Sequence, residues 1–145
     1  MANDVPNSFK AMVLKGQIDG DADTFKMILM ASGFVFDKDT HHAYANVSAH
    51  ETANGAGYTT GGVALSGVSV VTDDSGNIAT ISWSDAQWNS TGTLIASGAI
   101  IYDDSTDTSG GDDYTDAVVA YIDAGSLYTV ANGAPLIIRN ISISL

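Results

Sequence analysis

Cysteine is absent from the 145 residues, so disulfide bonds and thiol chemistry are excluded. Basic residues are also scarce: 5 lysine and arginine residues stand against 17 aspartate and glutamate residues, giving a formal net charge of −12. Such a surface repels nucleic-acid phosphates and anionic lipids, so we expect neither direct nucleic-acid binding nor membrane binding. The expected partner is a basic protein surface or a cation.

Long apolar runs are missing as well. No segment approaches the roughly 20 apolar residues that a membrane-spanning helix needs. Residues 1–8 lack the basic start and the apolar stretch of a signal peptide, so synthesis in the cytoplasm is expected. No linker or fixed-period repeat divides the chain. We therefore expect one domain over residues 9–145, preceded by an N-terminal arm, residues 1–8, that is free or bound to a partner.

The helix-forming residues lysine, arginine, glutamate and glutamine are few, whereas glycine, serine, threonine and β-branched residues are abundant. This composition predicts an all-β fold, an antiparallel β-sandwich with the jelly roll as one form of it, built from about seven or eight strands. The strands are predicted at residues 9–17, 25–30, 63–66, 68–72, 78–84, 93–102, 117–123 and 136–145. Asp73-Asp-Ser-Gly-Asn77 has the composition of a tight turn and predicts a hairpin there.

One short helix is predicted near residues 40–51. Ser48 and Glu51 have the spacing of a capping box, and Tyr44 and Val47 could share an apolar face. The following glycine-rich segment, residues 54–62, is predicted to be an ordered loop, because it lacks the lysine of a phosphate-binding loop.

Three groups of side chains have some features of a metal site. Asp19, Asp21 and Asp23 open like a calcium loop, but the sixth and twelfth positions lack the required glycine and glutamate. Residues 103–113 carry five aspartates, which fit either a Ca²⁺ or Mg²⁺ site or a solvated acidic loop. The three histidines are His41, His42 and His50, of which two are adjacent and poorly placed for one zinc ion. We favour no metal site and no cofactor.

Catalytic motifs are lacking too. The G-x-S-x-G elbow of serine hydrolases does not occur, and no other nucleophile and base have a motif's spacing. We therefore expect no enzymatic activity.

Aromatic residues supply the candidate contacts for a partner. Trp83 falls on the apolar side of its predicted strand and is assigned to the core, whereas Trp88 lies beyond that strand and is a candidate anchor. Tyr58 in the glycine-rich loop and Val5 and Pro6 in the arm complete the predicted partner-binding residues.

Several segments together resemble a class of small virion proteins of tailed bacteriophages. They are Phe25-Lys-Met-Ile-Leu-Met30, His50-Glu51 before Gly55-Ala-Gly-Tyr-Thr-Thr-Gly-Gly-Val-Ala-Leu65, Ile81-Ser-Trp83, Ala99-Ile-Ile-Tyr-Asp103 and Val119-Ala-Tyr-Ile-Asp123. The resemblance covers roughly residues 25–125 and implies a small β-sandwich that is present in the virion in many copies. It implies no catalytic residues.

The leading functional hypothesis is a capsid decoration or cement protein that bridges and stabilises major capsid subunits, as a homo-oligomer or as many copies on a symmetric lattice. A neck, tail or fibre-base component is the structural alternative. From another class, a carbohydrate- or host-surface-binding module would use Trp88 and a cation at residues 103–113.

Overall fold

The computed structural model describes residues 2–105 and 114–145, and in them the prediction of an all-β fold with a short helix is confirmed. The described residues form ten strands, two short helices and one 3₁₀ turn. The strands are β1 Ala2–Asp4, β2 Phe25–Met30, β3 Val63–Ala64, β4 Ser69–Asp73, β5 Ile78–Ser82, β6 Ala86–Asn89, β7 Leu94–Asp103, β8 Val118–Val130, β9 Pro135–Ile138 and β10 Ser142–Ser144. The helices are α1 Asn7–Leu14 and α2 Tyr44–Val47, and the 3₁₀ turn is Ser48–His50.

Three antiparallel sheets make a sandwich-like arrangement. The largest has the order β1-β8-β7-β2-β3, a second has β10-β5-β4, and a third pairs β6 with β9. Side chains from the five-stranded sheet share one core with those of α1 and the two smaller sheets. A jelly roll has eight strands in two sheets, whereas the described strands divide into sheets of five, three and two.

The central strand β2 is apolar on both faces because both faces are covered. Met27 and Leu29 point into the core shared with the smaller sheets. Ile28 and Met30 point the opposite way, into a second cluster that the following segment closes with Phe34 and other side chains. Alternation along a strand delivers successive side chains to opposite faces, so β2 lies between two cores.

The predicted helix near residues 40–51 is present as α2 and the 3₁₀ turn, but the predicted capping box is wrong. The Asn46 carboxamide oxygen accepts hydrogen bonds from the backbone N–H groups of His42 (3.2 Å) and Ala43 (3.0 Å). Asn46 therefore does the capping that was assigned to Ser48 and Glu51.

The predicted first strand, residues 9–17, is wrong. This segment lies mostly in helix α1, which buries Phe9 and Met12 and packs Val13 against the core. That spacing of three and four residues is helical. Phe9, Ala11 and Val13 also fit a strand's alternation, which is why the pattern was ambiguous.

The predicted N-terminal arm is part of the fold. β1 pairs with β8, with Ala2 opposite Asp123 and Asp4 opposite Tyr121. Pro6 is buried and Val5 is half-buried against the core. Residues 2–8 therefore comprise the edge strand β1, a two-residue connection and the start of α1, and are not a free segment. No helix in the described ranges has the length and apolarity needed to cross a membrane.

Candidate interaction surface

The predicted hairpin is confirmed as β4 and β5, and it is the most exposed regular part of the described chain. All five residues of β4 are exposed. Val70 is 49% exposed and Val71 55% exposed, on opposite faces of the strand, and Ile78 of β5 is 40% exposed. Proteins usually protect an edge strand with charged residues, proline, a bulge or a covering segment. Exposed valine on both faces of β4 therefore marks this strand as a candidate binding surface.

The turn of the hairpin is held by Asp73. One oxygen of its carboxylate accepts hydrogen bonds from the Ser75 hydroxyl (2.6 Å) and from the backbone N–H groups of Ser75 and Gly76 (3.0 Å each). These bonds, the hydroxyl's first, lower the pKa of Asp73 below its ordinary value. The tip of the hairpin therefore stays negatively charged at neutral pH.

A groove runs between the hairpin and helix α1. Its cavity has a volume of about 250 Å³, and its lining is almost wholly apolar. At Gly20 an added Cβ would lie 3.2 Å from side-chain atoms of both Val70 and Ile81, so this segment already packs on the hairpin. We call residues 69–82 together with this groove the hairpin surface. The main apolar residues of the groove are Phe9, Val13, Ile18, Val70, Ile81 and Ile143.

Acidic residues border the hairpin surface. Residues 19–23 and 69–82 contain Asp19, Asp21, Asp23, Asp73 and Asp74 and no basic residue, while the α1 segment on the other side of the groove contains Lys10 and Lys15. Asp21 also lines the groove. The surface therefore combines an apolar centre with negative charge.

The predicted anchors Tyr58 and Trp88 are both buried, each with 2% of its surface exposed, so the expectation that their rings face a partner is wrong. Ala86 and Trp88 alternate with exposed Gln87 and Asn89 along β6, and this period of two was the available signal that Trp88 points inward. Tyr58 donates a hydrogen bond to Glu51 and accepts one from the backbone N–H of Leu29 (3.2 Å). Trp83 is also buried, as predicted.

Glu51 organises the glycine-rich loop. Its carboxylate accepts hydrogen bonds from Tyr58, from the Tyr44 hydroxyl (2.7 Å) and from the backbone N–H of Gly61 (2.7 Å). Burial first, and then the Glu51 carboxylate, raise the pKa of Tyr44 to about 12. At Gly62, where φ is +74°, an added Cβ would collide with the carbonyl oxygen of Met27. The loop is ordered because Glu51 and this close approach fix it on β2.

The acidic residues near the end of β7 are largely engaged with protein groups. Asp104 makes an ion pair with Lys26 (2.9 Å). Asp103 is fully buried, and one of its oxygens accepts hydrogen bonds from the hydroxyl (2.6 Å) and backbone N–H (2.9 Å) of Ser105. Burial raises its pKa, the hydrogen bonds from Ser105 lower it and the neighbouring Asp23 carboxyl raises it, and together these effects bring the pKa to about 6.

Residues 2–105 and 114–145 contain no group of three histidine, aspartate or glutamate side chains arranged to hold a metal ion. Asp19, Asp21 and Asp23 form an acidic turn in which the backbone N–H of Asp19 donates to Asp23 (2.7 Å). The remainder of the predicted cation loop, residues 106–113, lies outside the described residues.

The three histidines pack on aromatic rings. His41 lies against Phe34, with ring centroids 5.4 Å apart, and His50 also contacts Phe34, at 5.7 Å. His42 stacks on Tyr114 at 4.6 Å. Burial lowers the pKa of His41, whose Nδ1 accepts a hydrogen bond from the backbone N–H of Asp37 (3.0 Å).

Comparison of the chain with protein-family models, with curated proteins and with solved structures gave no match.

Proposed function

We propose that this protein is a structural component of a tailed-bacteriophage particle, where it decorates the capsid by binding the major capsid protein through the hairpin surface. The observation that carries the binding role is the exposure of Val70, Val71 and Ile78 on an outer strand. Apolar side chains on an uncovered strand edge favour association with another chain.

The size of the hairpin surface fits a lattice of repeated contacts. A single five-residue strand and a small groove offer less area than a standard stable interface of about 1,600 Å². Many copies bound side by side on one capsid gain from avidity, so each contact needs only modest affinity. A capsid decoration protein binds in this way, as many copies that each make a contact of modest affinity.

The resemblance to phage virion proteins supports the proposed location in a phage particle. It does not bear on which surface of the protein binds the capsid. Its segments fall mainly on β2, β7 and the first half of β8, whose side chains are largely buried, and on the glycine-rich loop, in which Tyr58 is buried. Such segments carry the fold. The hairpin surface lies mostly outside them and is where proteins of one fold would differ in partner.

A neck, tail or fibre-base position would use the same surface in a ring. Copy number separates the two positions, since a ring holds about 5 to 15 copies and a capsid lattice holds hundreds. The carbohydrate-binding alternative loses its binding residue, because Trp88 is buried.

Val70→Asp tests the binding role. We expect at least about a tenfold loss of capsid occupancy, because a charge replaces an apolar contact and meets the acidic border. Occupancy is measured by adding purified protein to capsids that lack it and counting bound copies after sedimentation.

Leu127→Asp is the matched control, since Leu127 is also 49% exposed but lies in β8, outside the hairpin surface. The control should bind as the unmodified protein does. The contradicting result is that Val70→Asp is folded by circular dichroism and occupies the capsid as fully as the unmodified protein. The hairpin surface would then not be the binding site.

A further inference from the structure

Within residues 2–105 and 114–145 no strand pairs with the outer edge of β4, and the register fixes which of its backbone groups face that edge. The backbone N–H groups of Ala79 and Leu145 each donate to the other residue's carbonyl oxygen (3.0 and 2.9 Å), so Ala79 directs its backbone groups toward β10. Thr80 must then direct its own toward β4, where it lies opposite Val71. Because successive residues alternate, Val70 and Thr72 direct their N–H and carbonyl groups to the open edge.

The common devices that block an edge are missing from β4. Its sequence, Ser-Val-Val-Thr-Asp, contains no proline or lysine, and its register with β5 runs without a bulge. With five residues it is the longest edge strand in the described ranges. By contrast, the edge of β10 is partly covered, because the Asn3 side chain donates to the carbonyl oxygen of Ser142 (2.9 Å).

A strand added at this edge would meet apolar side chains on both of its faces. Val70 lies on the face that carries the groove, together with Ile81 opposite it. Val71 lies on the other face, as does Asp73 two residues later. An incoming strand would therefore place apolar side chains beside Val70, over the groove, and basic side chains beside Asp73.

Charge selects the occupant. The hairpin and the turn beside its groove, residues 69–82 and 19–23, carry five aspartates against Lys10 and Lys15 of the α1 segment, in a chain of net charge −12. A second copy of this chain would bring like charges together. A segment rich in lysine or arginine would gain from the same field.

We infer that β4 binds an extended, basic segment of the partner protein as a fourth strand beside β10, β5 and β4. This inference rests on the proposed function of the hairpin surface as the binding site. It adds the binding mode, strand addition, and the chemistry of the partner segment, apolar on one face and basic on the other.

Synthetic peptides test the inference on the whole protein without a capsid. The probe is an acetylated, amidated peptide of about nine residues that alternates valine and lysine. One control replaces every lysine with glutamate, and a second methylates alternate backbone nitrogens to remove the hydrogen-bond donors. The readout is amide hydrogen exchange, which reports each backbone N–H separately.

The basic peptide should slow exchange of the Val70 and Thr72 amides by at least about tenfold, with less change at Val71, whose backbone faces β5. Protection should weaken from about 50 to about 500 mM NaCl. The acidic and methylated peptides should give no protection. Equal protection by the acidic peptide, no protection by the basic one, or concentration-dependent protection of the protein alone would each overturn the inference.

Thr72→Pro supplies the matched variant. Its N–H faces the open edge, so proline should leave the β4–β5 ladder intact while removing one donor to the added strand. Peptide protection should be lost in Thr72→Pro and kept in Leu127→Thr, whose exposed side chain lies in β8, outside the hairpin surface. Should Thr72→Pro not fold, Thr72→Lys adds a positive charge at the edge and should lose the basic peptide.

This experiment separates the two proposals. Peptide binding at β4 together with full capsid occupancy by Val70→Asp would contradict the proposed function alone. A capsid bound through Val70 without peptide protection at β4 would contradict strand addition alone.

Discussion

Asp103 is a carboxyl group at the end of an apolar strand, with none of its surface exposed. Burial raises its pKa from 3.8 to about 6, so the folded protein holds this proton more tightly than the unfolded chain does. Its contribution to stability is fully present below about pH 4 and is lost as the pH rises through about 6. At neutral pH the fold therefore carries a buried negative charge.

Asp103→Asn should remove this pH dependence. The asparagine oxygen can still accept the hydrogen bonds from Ser105, while the charge is gone. We expect the free energy of unfolding at pH 7 to rise by roughly 1 to 3 kcal/mol, with a much smaller change at pH 4, measured by urea unfolding at both pH values. An equal effect at the two pH values would contradict the assignment.

Glu51 is a residue whose role the sequence could not supply, because no local spacing rule links it to Tyr44 and Tyr58, each seven residues away, or to Gly61, ten residues away. Glu51→Ala would leave the Tyr44 and Tyr58 hydroxyls and the Gly61 N–H without their acceptor. We expect a loss of about 2 to 4 kcal/mol in unfolding free energy. Glu51→Gln keeps an acceptor oxygen and should lose less, and similar losses in the two variants would argue against the hydrogen-bonding role.

At the scale of the element, the strands that could be predicted have patterns with one meaning. β2 and β7 are apolar on both faces and bounded by polar residues, and β4 and β5 flank a turn of suitable composition. α1 was missed because its apolar residues fit both periods. The predicted strand at residues 117–123 stops short of the end of β8, because the exposed second half of β8 begins with Gly125-Ser126, which resembles a turn until residues 128–130 pair with β7.

The C-terminal residues 136–145 were predicted as one strand but form β9 and β10, in different sheets. The buried residues are Leu136, Ile138, Ile141 and Ile143, so the alternation skips one residue at Arg139-Asn140. Asn140 has φ +54°, the left-handed conformation that turns the chain. That shift in phase was the sequence signal for the break.

The turn of the hairpin can be tested at Asn77, whose φ is +53°. A β-branched residue is strained in this conformation, whereas glycine adopts it freely. Asn77→Val should lower the free energy of unfolding by about 1 kcal/mol or more, and Asn77→Gly should leave it nearly unchanged. Thermal unfolding of the two variants gives the comparison, and equal midpoints would show that the turn relaxes into another conformation.

At the scale of the whole molecule, the described residues combine a packed interior with an exposed edge strand, β4. The five-stranded sheet is covered on both faces, so the strand β4 and the groove beside it are where another chain can add without rearranging the core. In the proposed binding mode, the net charge of −12 disfavours pairing of two copies at this edge and favours a basic partner segment. The composition predicts a preference for a basic partner. Only the strand pairing shows that β4 is the edge where such a partner could add.

The proposed function requires that many copies of this protein are bound to the outside of a capsid. Quantitative mass spectrometry of tailed-phage particles whose genome encodes the chain measures its copy number against the major capsid protein. We predict hundreds of copies per particle, in proportion to the lattice. Absence from the purified particle, or about 5 to 15 copies as in a ring, would contradict capsid decoration.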